Sequence, residues 1–283
     1  MLAKECGNLV YLPAYMKTIS SDDMQHIALG AGSLVLENGG ETYRAEETVV
    51  RVAKALGAKE ADAFVTPTVV IFSYIDEAGH HHSAMHRVLK RGTNLRKIAQ
   101  VNDLSRRLET RGKLSNAKQI ETIIARISSS PNYPTWLIVL MAAASSASFT
   151  LMFGGNAVDA ACAFAIGLVL RLMLCAFDKI PGGLNGFIIS LLSGALISVM
   201  ADLVGLTPLH VATATVMIGT LMQVVPGLAL VNAIRDIISG DLVSGAARLL
   251  DACMTAAGLS IGSVTGVLVS KGVMQLLRAG GIA

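Results

Sequence analysis

The chain has 283 residues, of which 53% are hydrophobic and 15% are charged. A soluble domain typically carries about 25% charged residues, so this composition argues against a disordered or fibrous chain and against an ordinary soluble enzyme. The net charge of +3 is too small an excess to indicate nucleic-acid binding.

The charge is unevenly distributed along the chain. Residues 1–134 contain 17 Lys and Arg and 14 Asp and Glu, whereas residues 135–283 contain six of each kind. The first part therefore has the charge density of a protein in water, and the second has the low density expected in lipid. We predict a cytosolic α+β domain over residues 1–134 and a transmembrane domain over residues 135–283.

The first part alternates between helical and strand-like patterns. Apolar positions at helical spacing, acidic residues early in a segment and glycines after it predict helices. Runs rich in Val, Ile, Phe and Thr predict strands, although Pro67 interrupts the first run. The predicted helices cover 22–37, 41–56, 95–108 and 117–127, and the predicted strands cover 63–74 and 81–91.

The second part contains apolar stretches of the length needed to cross a bilayer, which is about 20 residues. About five transmembrane helices are predicted, with four or six as open alternatives, giving an α-helical integral membrane domain behind a soluble α+β domain. The fourth ends at a Val225-Pro226-Gly227 break. The five predicted spans are 136–153, 157–177, 187–206, 209–225 and 247–269.

Residues 228–244 are too short and too charged to form a further span. Two interpretations remain open. One is an amphipathic helix lying at the membrane interface. The other is a broken or re-entrant segment that lines a cavity, because irregular backbone at membrane depth is tolerated only there.

Lys and Arg near the ends of the spans predict the orientation of the chain. Lys179, Arg235 and Arg248 fall in segments on the same side as the amino-terminal domain, whereas the two outer turns carry no Lys or Arg. Cytosolic loops are enriched in these residues. No signal peptide is recognisable at the start of the chain, so we expect residues 1–134 to stay in the cytosol.

The sequence predicts neither an enzyme nor a cofactor. The adjacent residues His80, His81 and His82 point in different directions and lack a matched carboxylate. The four cysteines follow neither zinc-site nor disulfide spacing. The first part also lacks a Gly-x-Ser-x-Gly nucleophile elbow.

Three stretches, residues 36–48, 91–106 and 225–241, resemble the threonine/serine exporter family in order and spacing. The resemblance implies a secondary transporter that moves a small amino or organic acid out of the cytosol across the bacterial inner membrane. Long members of the family have two membrane halves, and this chain resembles the amino-terminal one. The resemblance therefore implies a second-half partner subunit or a homo-oligomer. Both amino-acid and dicarboxylate (succinate) export are linked to such proteins, so both substrates remain open.

The residues around the break after the fourth predicted span form the strongest candidate site. Pro lacks an N–H and Gly relaxes the backbone, so carbonyl groups become available there. Arg suits a carboxylate because its guanidinium binds in a bidentate manner. We expect Arg235 to bind a substrate carboxylate, and Asp236 or Asp241 to assist with an ammonium group or a coupling proton. The alternative is a surface ion pair on an interfacial helix. The candidate residues are Pro226, Gly227, Asn232, Arg235, Asp236 and Asp241.

Three further polar residues lie in or near predicted spans, where ionisable groups are costly and usually functional. Arg171 and Asp202 are candidates for substrate binding or coupling, with a solvated or snorkelling position near a helix end as the alternative. Gln223 precedes the break and is a candidate for a hydrogen bond across helices.

A second polar group surrounds Gly39-Gly40 in the first part. One interpretation is a gating or regulatory contact with the membrane domain, and the other is a helix–turn–helix with solvated charges. These residues are Glu37, Asn38, Glu41, Tyr43, Arg44 and Glu46.

A different functional class also fits the composition, namely a membrane-anchored sensor or assembly protein. A transporter predicts a polar cavity near Pro226. A sensor predicts a closed apolar bundle together with a concave pocket in residues 1–134.

Overall fold

The computed structural model describes residues 19–89, 92–111, 116–131 and 133–279. It is mostly helical and separates into two compact units. The first, here called the α+β unit, comprises residues 1–130 together with residues 235–245. The second, here called the helical unit, comprises residues 131–234 and 246–283.

The α+β unit contains an antiparallel sheet with the strand order β1-β2-β3, with helices packed on one of its faces. Ser20 caps the first helix by accepting a hydrogen bond from the Asp23 N–H at 3.1 Å. Gly57 ends the second helix in the left-handed conformation, with a φ of 109°. The elements are α1 (Ser21–Glu37), α2 (Thr42–Leu56), β1 (Glu60–Thr66), β2 (Val69–Ile75), β3 (His81–Arg87), α3 (Leu95–Arg111) and α4 (Ala117–Ser129).

The predicted strand over 63–74 is wrong as a single strand, because the structure forms a hairpin there. Thr66 of β1 pairs with Val69 of β2, which leaves Pro67 and Thr68 as a two-residue turn. Proline fixes φ and has no N–H to donate, so it is better accommodated in a turn than within a strand. The end of the predicted second strand, at Lys90 and Arg91, lies outside the described residues.

The core of the α+β unit is built from large side chains. Phe72 of β2 is completely buried, and Ile27, Leu36, Val49 and Val101 of the surrounding helices are at most 2% exposed. Burying each such side chain contributes about 1.5–3 kcal/mol. Burial of large apolar side chains is therefore a main contribution to the stability of this unit.

The second part of the chain forms a series of helices. Four of the described helical segments are long and apolar enough to cross a membrane, namely Thr135–Met152, Ala157–Phe177, Gly186–Gly205 and Leu242–Gln275. The helices are α5 (Thr135–Met152), α6 (Ala157–Phe177), α7 (Gly186–Gly205), α8 (Thr213–Leu221), α9 (Gly227–Ile238) and α10 (Leu242–Ala279).

The fourth predicted span, 209–225, is not a full-length helix. It contains α8, which has nine residues and is therefore about 14 Å long, roughly half of the 30 Å hydrocarbon core. The helix begins only at Thr213, after a non-helical stretch in which His210 has a φ of 52°. Its end is followed by turns that lead to Pro226. The sequence predicted the break at Val225-Pro226-Gly227, but neither the end of α8 at Leu221 nor its late start at Thr213.

Helix α8 packs against α5, α6 and α7. Gly219 makes this possible, because a side-chain carbon at that position would overlap Thr150 of α5. Small residues allow helix backbones to approach closely in lipid. The short helix is therefore an inner element of the helical unit.

The segment 228–244, for which two interpretations were open, contains most of α9, a turn at Gly240 with a φ of 95°, and the first residues of α10. Helix α10 also begins five residues earlier than the predicted fifth span and extends beyond its end.

Candidate functional site

The turn after α8 brings a polar side chain between two apolar helices of the helical unit. The Gln223 Nε2 donates hydrogen bonds to the Ala142 carbonyl oxygen at 2.8 Å and to the Ser146 Oγ at 3.1 Å, both on α5. It also lies 3.5 Å from the Gly167 carbonyl oxygen on α6. The break in the fourth segment is thus tied to α5 and α6 through one amide.

Two polar atoms in this region are buried without a hydrogen-bond partner among the described residues, namely Gln223 Oε1 and Arg171 Nε. Arg171 lies four residues after Gly167 on α6, which places it on the same helical face and one turn along. Leaving a buried donor or acceptor unsatisfied costs about 1–3 kcal/mol. One acceptor and one cationic donor are therefore available for a small polar molecule.

Asp159 and Asp202 have structural partners in the helical unit. Asp159 is 2% exposed and accepts hydrogen bonds from the Ala212 N–H at 2.8 Å and the Asn156 N–H at 2.9 Å. It therefore holds the start of α8 against the start of α6. Asp202 of α7 accepts a hydrogen bond from the Ser270 hydroxyl of α10.

The other predicted residues of the break lie close together along α9. The Pro226 carbonyl accepts the Leu230 N–H at 3.0 Å, so the proline sits at the start of the helix, where its missing N–H is tolerated. Gly227 is the first residue of α9 and is exposed, and Asn232 is 4% exposed.

Arg235, Asp236 and Asp241 belong to the α+β unit and contact the start of α2. The segment Arg235–Gly245, here called the α9–α10 junction, ends α9 and begins α10. The Arg235 guanidinium lies 2.6 Å from the Glu41 carboxylate. The Thr42 N–H donates to Asp236 Oδ1 at 3.3 Å, and the Thr42 hydroxyl donates to Asp241 Oδ2 at 3.4 Å.

These contacts complete the amino terminus of α2. Glu41 occupies the capping position but forms no side-chain capping bond, and the first turn of α2 contains no acidic residue. The carboxylates of Asp236 and Asp241 approach from the junction and complement the partial positive charge of the helix start. Asp236 is fully buried there, so this contact is part of the packed interior of the unit.

Glu46 of α2 and Ser244 of the α9–α10 junction both form hydrogen bonds with strand β1 of the sheet. The Val65 N–H donates to Glu46 Oε1 at 2.9 Å, and the Ser244 hydroxyl donates to the Val65 carbonyl oxygen at 3.0 Å. Burial raises the pKa of Glu46, and the negative charges of Asp241 and Asp236 raise it further. The two junction carboxylates, Asp236 and Asp241, therefore lie near a third on α2, Glu46, which binds its proton more tightly than usual.

The remaining residues of the Gly39-Gly40 group have local partners. Asn38 donates to the Leu34 carbonyl oxygen at 2.7 Å, the Glu37 carbonyl accepts the Gly92 N–H at 2.8 Å, and Arg44 donates to the Tyr43 hydroxyl at 3.3 Å. Arg44 also lies 2.8 Å from Glu41. Glu41 is thus shared by two arginines.

Sequence reasoning missed Thr42, Ser146 and Ser244. Thr42 and Ser244 contact partners that are 194 and 179 residues away in the chain, and no local pattern predicts such a pairing. Thr42 could have been noticed as a hydroxyl at a helix start. Within the described residues, no group of three or more His, Cys, Asp or Glu side chains could hold a metal ion.

Comparison with known proteins identifies the family to which the chain is similar. The model of the ThrE family, described as "Putative threonine/serine exporter", matches residues 26–270. The chain is 26% identical to the "Probable succinate transporter subunit YjjP" of Klebsiella aerogenes, over 81% of this chain and 87% of that protein. It is 23% identical to the Escherichia coli protein of the same name, over 90% and 97% of the two chains.

A further match is to the "Pheromone-regulated membrane protein 10" of Saccharomyces cerevisiae, with 28% identity over 81% of this chain and 30% of the yeast protein. No solved structure matches the chain significantly. The family match covers most of the residues that form both units, and four helices are able to cross a membrane. The chain is a membrane protein that belongs to the ThrE family of transporters.

Proposed function

We propose that the chain is one subunit of a secondary transporter that exports small carboxylate-bearing metabolites from the cytosol. The observation that carries this proposal is the half-length helix α8, which ends inside the helical unit beside Gln223. Discontinuous helices that expose backbone and polar groups at membrane depth are typical of substrate sites in transporters.

The polar groups near the break favour a carboxylate substrate. Arg171 is a cation within a membrane-spanning helix, where an unpaired charge costs at least about 2.5–3.5 kcal/mol and usually marks a substrate or ion pathway. A carboxylate would pair with its guanidinium, and the Gln223 carbonyl oxygen would accept a hydrogen bond from an ammonium or hydroxyl group. Threonine and serine offer all of these groups, whereas succinate offers carboxylates alone.

The printed names of the bacterial relatives support a dicarboxylate as the alternative substrate and a multi-subunit assembly. We propose that this chain works with a second membrane subunit or with further copies of itself in the inner membrane. In this arrangement the α+β unit lies in the cytosol, on the side where Lys179 and Arg235 are found.

Coupling to a proton gradient is proposed for the α9–α10 junction and not for the α8 break. Arg235, Asp236 and Asp241 already have partners on α2, which supports a role in coupling for these residues more strongly than direct substrate binding. Protonation of a carboxylate there would weaken its contact with α2.

The proposal is tested by efflux of labelled threonine, serine and succinate from proteoliposomes. These would contain the chain alone or together with a second-half subunit of the family. Arg171→Gln is expected to lower the efflux of the transported compound at least tenfold. The control is Lys179→Gln, which removes one positive charge from the exposed loop after the same helix and is expected to retain efflux.

If the Arg171→Gln variant exports the compound as fast as the wild type does, the proposed route is contradicted. Absence of efflux of all three compounds in both preparations would contradict the transport function itself. It would favour the sensor or assembly protein, a class supported by concave pockets in the α+β unit.

A further inference from the structure

We propose that a pocket between α2 and α3 binds a small dicarboxylate. The pocket has a volume of about 180 Å³ and belongs entirely to the α+β unit. It is separate from the Gln223 and Arg171 region, so the inference does not depend on the proposed transport route.

The pocket forms where two polar helix faces oppose each other. On α2, Arg44, Thr48 and Arg51 follow each other at spacings of four and three residues, which places them on one face. On α3, Asn102 and Arg106 are four residues apart and likewise share a face. The side chains of both helices therefore converge on the same space.

The lining is rich in arginine, although two of its arginines, Arg44 and Arg51, contact carboxylates. Three arginines line the pocket, and Glu47 is the one acidic residue among its described lining residues. Arg51 contacts Glu47 and also Glu109, the latter at 3.5 Å. Arg106 forms no ion pair with any carboxylate in the described part of the chain, although it faces the pocket.

This arrangement matches a ligand with two negative charges. A guanidinium binds a carboxylate through two parallel hydrogen bonds, and Arg106 on α3 faces Arg44 and Arg51 on α2 across the pocket. A small dicarboxylate can contact both helices at once, whereas a monocarboxylate can reach one. Tyr43 and Asn102 offer neutral hydrogen-bonding groups at the same place.

The pocket is connected to the α9–α10 junction through one side chain. Glu41 lies 2.8 Å from Arg44, which lines the pocket, and 2.6 Å from Arg235, which lies in the junction. A dicarboxylate that attracts Arg44 competes with Glu41 for its guanidinium. Occupation of the pocket is therefore expected to alter the contact between Glu41 and Arg235, which is a route by which a cytosolic metabolite can regulate the protein.

Isothermal titration calorimetry of the full-length chain in detergent, with succinate as the probe, tests the proposal. Saturable binding is expected, and Arg106→Gln is expected to weaken it at least tenfold. The matched control is Arg107→Gln, which removes the neighbouring charge on the same helix. Arg107 pairs with Asp103 and does not line the pocket, so this variant is expected to bind as the wild type does.

Two further arms distinguish this pocket from the transport route and from a general anion site. Arg171→Gln removes the cation of the transport route, so the pocket is measured by itself in this background. Arg106→Gln is expected to weaken the succinate binding that remains there at least tenfold, so failure of one proposal is distinguishable from failure of the other. Acetate and inorganic phosphate are expected to bind at least tenfold more weakly than succinate. Equal binding of either anion, absence of succinate binding, or unchanged binding by Arg106→Gln would overturn the inference.

Discussion

The buried cluster inside each of the two units is made of a different kind of residue. In the α+β unit, the buried cluster is made of large aliphatic and aromatic side chains such as Phe72, Ile27 and Leu36. In the helical unit, the buried cluster is made of Ala163, Ile166, Ala201 and Val216. Many of the large side chains there are exposed, for example Leu172 at 51% exposure, although Ile166, Leu170 and Ile197 are buried.

This difference is the one expected if the α+β unit lies in water, as we propose, and the helical unit lies in lipid. In water, burial of apolar surface stabilises the folded state. Lipid tails are as apolar as a leucine side chain, so the helical unit gains little from burial and depends on close packing of small residues. Gly194, Gly258 and Gly262 illustrate this, because a side-chain carbon at any of them would overlap backbone atoms of the facing helix.

The largest expected effect is in the α+β core. Phe72→Ala removes a fully buried ring and should destabilise the unit by about 3–5 kcal/mol, which includes the cost of the cavity that remains. Phe64→Ala is the control, because Phe64 lies on the neighbouring strand but is 51% exposed. Thermal unfolding of the full chain in detergent measures both. Equal losses of Tm in the two variants would show that burial does not determine stability here.

Enlarging a small residue should be the damaging change in the helical unit. Gly262→Val places methyl groups against the Leu191 carbonyl oxygen and should cost about 1–3 kcal/mol or more. Gly272→Val on the same helix is the control, since no atom of the described residues lies within 4 Å of the added carbon. The relative Tm of the two variants tests the prediction, and a similar Tm would argue against close α7–α10 packing.

The contact between Glu41 and Arg235 should contribute a smaller amount. A double-mutant cycle of Glu41→Gln and Arg235→Gln is expected to give a coupling energy of about 1 kcal/mol, because Glu41 is buried although Arg235 is half-exposed. The exposed pair Arg107–Asp103 provides the reference cycle, with coupling close to zero. If both cycles give the same value, the junction is no tighter than an ordinary surface ion pair.

The smallest expected effect concerns the pH dependence of Glu46. Burial raises the pKa of this group above its ordinary value of 4.5, so the folded state binds the proton more tightly than the unfolded state does. Stability therefore falls as pH rises from about 4.5 through the raised pKa. Glu46→Gln should raise the Tm by about 1 °C at neutral pH and have no such effect at pH 4. Thermal unfolding of Glu47→Gln at the same two pH values is the control, because Glu47 is an exposed neighbour. An equal rise in Tm in this variant would show that burial is not the cause.

Local patterns predicted most of the fold. Apolar spacing and the glycines that follow located α1 and α2 to within about one residue, because these signals act over a few positions. The length of the apolar stretches located α6 and α7 equally well. The hairpin at Pro67 was missed because the residues on both sides of Pro67 have the same strand-like pattern, so the proline was interpreted as an interruption within one strand. The shortness of α8 was missed because hydropathy measures composition and not backbone geometry.

The candidate site was predictable in its parts but not in its connections. Arg235, Asp236 and Asp241 were recognised as a polar group beside a break, and Glu41 as part of a second group. Their pairing joins residues about 190 positions apart, which requires the three-dimensional fold. The arginine pocket between α2 and α3 was missed for the same reason, since its two faces come from separate helices.

The central claim is a polar route that opens at the end of α8, and cysteine labelling tests it most directly. The four native cysteines are replaced by alanine, and either Gln223→Cys or Ala201→Cys is then introduced into the chain. Each single-cysteine variant is prepared in membrane vesicles. A small membrane-impermeant maleimide supplied from the cytosolic side should label Gln223→Cys, and succinate or threonine should slow the labelling. Ala201→Cys, which is fully buried, should remain unlabelled. Equal resistance of both positions to the maleimide would contradict a route at α8.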